Sequence, residues 1–175
     1  MLDRSRLLIL TILIAALLAA GFAVWFRYQA SRRTLALWGS DAARLIRNAS
    51  VVEAWRVAPA DNPDAPDQRT APTGEAIVIA ARRELQTVPD LAHIRRALLS
   101  DVHFLWDEPA ADCTPHWTHV LRFQEGSEHA TLWIDDACNV VWLEETGAQA
   151  KMNPPLLRSI REKFLGHYLG PAAAP

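Results

Sequence analysis

The chain has no phosphate-cradling glycine loop, no His-Glu-x-x-His and no Gly-x-Ser-x-Gly. These absences remove the signatures of P-loop nucleotide hydrolases, zinc-helix peptidases and nucleophile-elbow hydrolases. Asp135 and Asp136 are adjacent, but neighbouring strand residues face opposite ways and a turn suits aspartate for its own reasons. His103 has Asp101 nearby and nothing else to make a catalytic set. Binding or scaffolding is therefore expected rather than catalysis, with no cofactor. An excess of positive charge is also missing: 18 Lys and Arg stand against 20 Asp and Glu, a net charge of −2. Such a surface does not neutralise phosphates, so nucleic acid is not an expected partner. Glycine is scarce at seven, and the eleven prolines form no low-complexity tract or repeat. Cysteine is scarcer still, with two, and neither follows the N-terminal apolar run, which excludes a lipoprotein anchor.

That run, Leu7 to Phe26, is uncharged and uninterrupted. At about 20 residues it is long enough to cross a bilayer core as a helix. Arg4 and Arg6 precede it, and Trp25 and Tyr28 stand at its far end, where interfacial aromatics collect. A cleaved signal peptide, with a site near Gly21 and Ala23, is the rival. Its apolar core is normally shorter, whereas this run continues through Val24-Trp25-Phe26. Arg27, Arg32 and Arg33 weaken the charge bias across the helix. The short basic N-terminal flank, and the indifference of long translocated domains to charge, favour a domain outside the cytoplasm. The expected location is the inner or plasma membrane, crossed once, with contact to the membrane through this helix and to an envelope protein through the domain.

The organisation that follows is a transmembrane anchor over 1–28, an amphipathic or linker helix over 29–50, an α+β domain over 51–170 and a loose tail over 171–175. What remains beside the N-terminal apolar segment, about 130–140 residues, is of ordinary single-domain size. Ser31 to Ala49 predicts a helix with Leu35, Trp38, Ala42, Leu45, Ile46 and Ala49 on one side, continuous with the anchor or broken near Gly39. Val51–Val57 and Glu75–Ala81 read as strands around a proline-rich loop, Ala58–Gly74. Thr87-x-x-Asp90 has the form of a capping box, with Pro89 in the first turn of a helix carrying Leu91, Ile94 and Leu98. Val102–Trp106 reads as a short strand and Asp107–Asp112 as a loop. Asn153 and Pro154 start a last helix, with Ile160, Phe164 and Tyr168 on its apolar side and Gly170-Pro171 at its end.

Between them lies the clearest pattern in the chain. Glu125-Gly126-Ser127-Glu128 separates two alternating runs and marks a hairpin. Folding about it sets Trp117 opposite Asp136, His119 opposite Ile134, Leu121 opposite Leu132 and Phe123 opposite Ala130, on one mostly apolar face. A second turn at Asp136-Ala137 sets Leu132 opposite Val141 and Ala130 opposite Leu143. The other face bears Thr118, Val120, Arg122, Thr131, Trp133, Val140, Trp142 and Glu144. A face with two tryptophans is either covered by a helix or used for binding, which makes Trp133, Trp142, Val120 and Arg122 the candidate binding residues.

Cys113, His116, His119 and Cys138 are of the types that ligate zinc, and a metal or redox protein is the alternative function. Geometry opposes it: in an extended strand Cys113 and His119 lie about 20 Å apart. A disulfide between Cys113 and Cys138 is the simpler expectation outside the cytoplasm, and His119 then reads as a hydrogen-bonded core histidine. The Cys113-Thr114-Pro115-His116 segment, the hairpin and the second cysteine at Cys138 resemble an uncharacterised bacterial family of small exported or membrane-tethered α+β domains. The likeness runs from Val51 to the C-terminus. It implies the architecture and no activity.

Overall fold

The computed structural model describes residues 4–60, 67–108, 113–135 and 137–170. The 171–175 tail, the centre of the proline-rich loop and part of the Asp107–Asp112 loop lie outside the described residues. Helix α1 (Arg4–Gln29) carries the apolar run. Its stretch Leu8–Phe26 is long and apolar enough to cross a membrane, and none of it is buried against the rest of the chain. Ala30 and Ser31 break the helix, α2 (Arg32–Trp38) follows, and α3 (Ser40–Asn48) begins after Gly39. Gly39 has φ +80, a conformation that glycine adopts without steric cost, and the helix breaks there, which is one of the two arrangements expected from the sequence. Arg95 donates to the Arg47 and Ala49 carbonyls at the end of α3, satisfying acceptors the helix leaves open.

Seven strands form one antiparallel sheet: β1 (Val51–Pro59), β2 (Gln68–Thr70), β3 (Ala76–Glu84), β4 (Trp117–Glu125), β5 (Glu128–Asp135), β6 (Val140–Leu143) and β7 (Gln149–Lys151), in the order β2-β3-β1-β4-β5-β6-β7. The α+β expectation holds. Helices α2, α3, α4 (Leu91–Leu98), α5 (Pro154–Ser159) and α6 (Gly166–Leu169) all contribute to one core with Val52, Ala54, Leu121, Phe123, Leu132 and Leu143. A π-helical turn, Ile160–Leu165, joins α5 to α6.

The first hairpin has the expected register at His119–Ile134, Leu121–Leu132 and Phe123–Ala130. Its far end differs. A bulge between Trp117 and His119 inserts one residue, so Trp117 pairs with Asp135 and its ring turns to the opposite face; Asp136 is outside the described residues. The second hairpin is offset by two from the expected pairing: Leu132 faces Leu143 and Ile134 faces Val141. A slip of two keeps every side chain on its face. The cause is a longer turn, in which Asn139 takes φ +56 and the Asp135 carboxylate gathers nearby N–H groups.

Other local expectations are corrected too. Val102–Trp106 is no strand. Asp101–His103 is a 3-10 turn, and Phe104 makes one isolated bridge to Met152. Helix α4 starts at Leu91, after Pro89, with no side-chain cap from Asp90. Asn153 precedes α5 and caps it through its carbonyl rather than its side chain. Within the expected loop Ala58–Gly74, β1 runs on to Pro59 and β2 pairs with β3.

Candidate functional site

The sheet face away from the helices is a second, smaller core of Trp55, Val57, Ala71, Ile77, Trp117, Val120, Trp133, Cys138 and Val140. All of these come from strands or connections; no described helix packs there. The alternation that buries Leu121 and Leu132 under the helices necessarily sends Val120 and Trp133 the other way. Non-local pairing then aligns Arg82, Trp55, Val120, Trp133 and Trp142 across five strands. Trp117 meets Trp133 edge-on at 6.2 Å and Trp142 at 6.3 Å between ring centroids.

Arginines close the face at Trp55, where a helix does not. The guanidinium of Arg69 lies 4.6 Å from the Trp55 ring centroid, that of Arg82 5.7 Å and that of Arg122 5.9 Å. Such cation–π contacts set a guanidinium against the ring of Trp55, which is itself buried. Glu53, almost buried, accepts from Arg82 at 2.6 Å and from Trp55 Nε1 at 3.3 Å. The cluster therefore carries more positive than negative charge. Arg122 Nε and Trp117 Nε1 are buried without a hydrogen-bond partner among the described residues, and buried donors of this kind normally have one.

Of the four candidate binding residues, Val120 and Trp133 are buried, and Trp133 Nε1 donates to Glu144 at 3.0 Å. Trp142 and Arg122 are half-buried and reach the surface. Trp55, Arg69, Arg82 and Trp117 were not singled out from sequence. Trp55 lay in a recognised strand, but its place beside Val120 depends on β1 pairing with β4, which no local pattern encodes.

One end of this face is tied down chemically. Cys113 and Cys138 are bonded, with Cα atoms 5.8 Å apart. Asp135, fully buried, accepts from the backbone N–H of His116 at 2.7 Å, of Ala137 at 3.3 Å and of Cys138. One carboxylate thus fixes the segments on both sides of the disulfide. With the two sulfurs joined to each other, neither is a thiolate ligand or nucleophile. Among the described residues no three His, Cys, Asp or Glu side chains gather as a metal site requires.

His119 lies under the helices, 3% exposed. Its Nδ1 is 3.0 Å from Thr118 Oγ1, which donates its single proton to the Ile134 carbonyl. The hydroxyl is then left to accept from Nδ1–H. Burial, followed by the neighbouring Arg161 and Arg56 charges, pushes the imidazole pKa down to about 4. The ring is neutral near pH 7, as a packed side chain should be.

No protein family, curated protein or solved structure matches the chain.

Proposed function

We propose that this protein is a single-pass membrane protein whose α+β domain lies outside the cytoplasm and binds or scaffolds an envelope partner through the tryptophan–arginine face. The observation that carries the membrane reading is α1: its lipid-length apolar stretch Leu8–Phe26 is not buried against the domain. In water it would expose a far larger continuous apolar surface than soluble proteins tolerate. The Cys113–Cys138 bond agrees with an oxidising compartment, and with the resemblance to small exported domains. For the binding face, the support is an aromatic sheet face on which no described helix packs, with Arg69, Arg82 and Arg122 gathered at Trp55. Arginine and tryptophan are the residues that most often carry binding energy at interfaces. The charge at Trp55 suits a partner that presents acidic groups.

Fusions after Pro175 test the topology. An export-dependent enzyme should be active there and a cytoplasm-dependent fluorophore silent; the reverse pattern would contradict the location. Membranes washed with high salt and alkaline carbonate should keep the full-length protein. A shorter, soluble form starting near Gly21 to Val24 would mean that the run is a cleaved signal.

The face has its own test. A partner that co-purifies from membranes in mild detergent should be lost with Arg69→Glu, while the domain still unfolds cooperatively at a slightly lower melting temperature, because Arg69 is exposed but its guanidinium packs on the Trp55 ring. Full retention of the partner would move the binding site elsewhere.

A further inference from the structure

Helix α1 does not reach the domain through a free linker. The membrane-length stretch ends at Phe26. Four residues later the Ala30 carbonyl already accepts the Asp101 N–H at 2.9 Å. The Asp101 carboxylate in turn accepts from the Arg33 N–H at 2.9 Å, the Thr34 N–H at 2.8 Å and the Thr34 hydroxyl at 2.7 Å. Thr34 is fully buried, and its hydroxyl oxygen lies 3.0 Å from the Leu99 carbonyl oxygen as well. The helix exit and the Asp101 turn are therefore one rigid piece.

Length then decides where the turn lies. Three helical residues and the turn residue Ala30 carry the chain about 6 Å. The polar layer on each side of a bilayer core is about as thick, roughly 5–7 Å. Tilting α1 only brings the turn closer to the core. With α1 across the membrane, Asp101 and its neighbours sit among the lipid headgroups.

The side chains at this place fit that environment. Val102 is 72% exposed, and outside α1 it is the only large apolar residue among the described residues with such exposure. A lone exposed valine is ordinary on a protein surface; here it stands beside the point where the membrane helix emerges. Trp106, half-buried, donates from Nε1 to the Asp101 carbonyl at 2.8 Å, and the Arg33 guanidinium lies 6.0 Å from its ring centroid. Tryptophan and arginine are each common anchors at membrane interfaces. Gln29, Arg32, Arg33, Ala36 and Asp101 line a shallow depression at the same level. The Asp101 carboxylate is committed to the start of α2, so Arg32 and Arg33 are the groups that meet an anion there.

We propose that the Asp101–Trp106 turn, with Arg32 and Arg33, is a membrane-seating surface: Val102 enters the bilayer interface and the two arginines hold phosphates of anionic phospholipids. The domain is thereby held in one orientation on the leaflet from which α1 emerges. This rests on α1 being a retained membrane helix, and the test separates the two.

Full-length protein carrying a nitroxide at Val102→Cys, or at Leu17→Cys within α1, is placed in nanodiscs of phosphatidylcholine mixed with phosphatidylglycerol. Labelling without reductant leaves the native disulfide closed. Collision with oxygen and with a water-soluble nickel complex reports depth. The label at 102 should be reached by oxygen more than by nickel, at a depth shallower than 17. It should rise toward water in pure phosphatidylcholine, and in the Arg32→Glu, Arg33→Glu double variant. That variant changes only side chains and spares the backbone bonds to Asp101. A label at 102 that nickel reaches as freely as a nitroxide in buffer, with 17 in lipid, overturns the seating alone. Equal depth at 102 in both lipid mixtures overturns the role of the arginines. A label at 17 outside lipid removes the anchor, and the seating with it.

Discussion

Replacing Cys113 or Cys138 by serine should lower the unfolding free energy by about 3 kcal/mol, and replacing both should cost no more than replacing either. The bond closes a sequence separation of 25 residues, and the chain-entropy estimate for a loop of that size is of this order. Against a typical domain stability of about 5–15 kcal/mol the loss is large. Non-additivity follows because either substitution removes the whole bond. The bond also has company: Asp135 holds the N–H groups of His116 and Cys138 together from inside the same turn. Asp135→Ala leaves those donors without their acceptor, and should destabilise less in the reduced protein, where the segments it joins are no longer tied. Denaturant melts of the single and double cysteine variants decide the matter. Additive losses would mean that each cysteine only packs.

Acid should unfold the domain through His119. Its folded-state pKa is about 4 against an ordinary 6.5, so the folded chain favours the neutral ring and the unfolded chain takes up the proton first. The corresponding stability is fully present above about pH 6.5. It falls steadily below that, and the loss is complete once the pH passes below about 4. The gap corresponds to about 3 kcal/mol, with no discount for solvent because the residue is buried. The protonated ring would also face the Arg161 and Arg56 charges. Carboxylates titrate in the lower part of this range, so the comparison is with His119→Gln, which packs a neutral side chain at every pH. Urea unfolding of the two proteins should converge as pH falls from 6.5 to 4. Parallel stability curves would contradict the assignment.

What could be read from sequence was what is local or strictly periodic. The alternation through Leu121, Phe123, Ala130 and Leu132 is enforced by the pleat, and Gly126, at φ +58, supplies the turn. The apolar run of α1 needs only length and composition. Features that failed depended on contacts between distant segments. Thr118 is the extra residue of a bulge in which its hydroxyl donates to the Ile134 carbonyl, and the bulge sends Trp117 to the other face. The turn before Val140 is lengthened by the Asp135 carboxylate and the disulfide, not by a two-residue turn signal. Val102–Trp106 looks like a strand, but Asp101 is drawn to the start of α2 and bends the segment into a 3-10 turn. The candidate face was half legible. Trp133, Trp142, Val120 and Arg122 share it by alternation, whereas Trp55, Arg69 and Arg82 join it through β1, β2 and β3, whose place in the sheet is a matter of topology.

We propose a disulfide-closed domain held at a membrane on its oxidising side. Its most direct test is a thiol count on the protein taken from its own membranes, unfolded without reductant in the presence of an alkylating reagent. No cysteine should react until reductant is added, after which Cys113 and Cys138 both should. Two reactive thiols before reduction would contradict both the bond and the location.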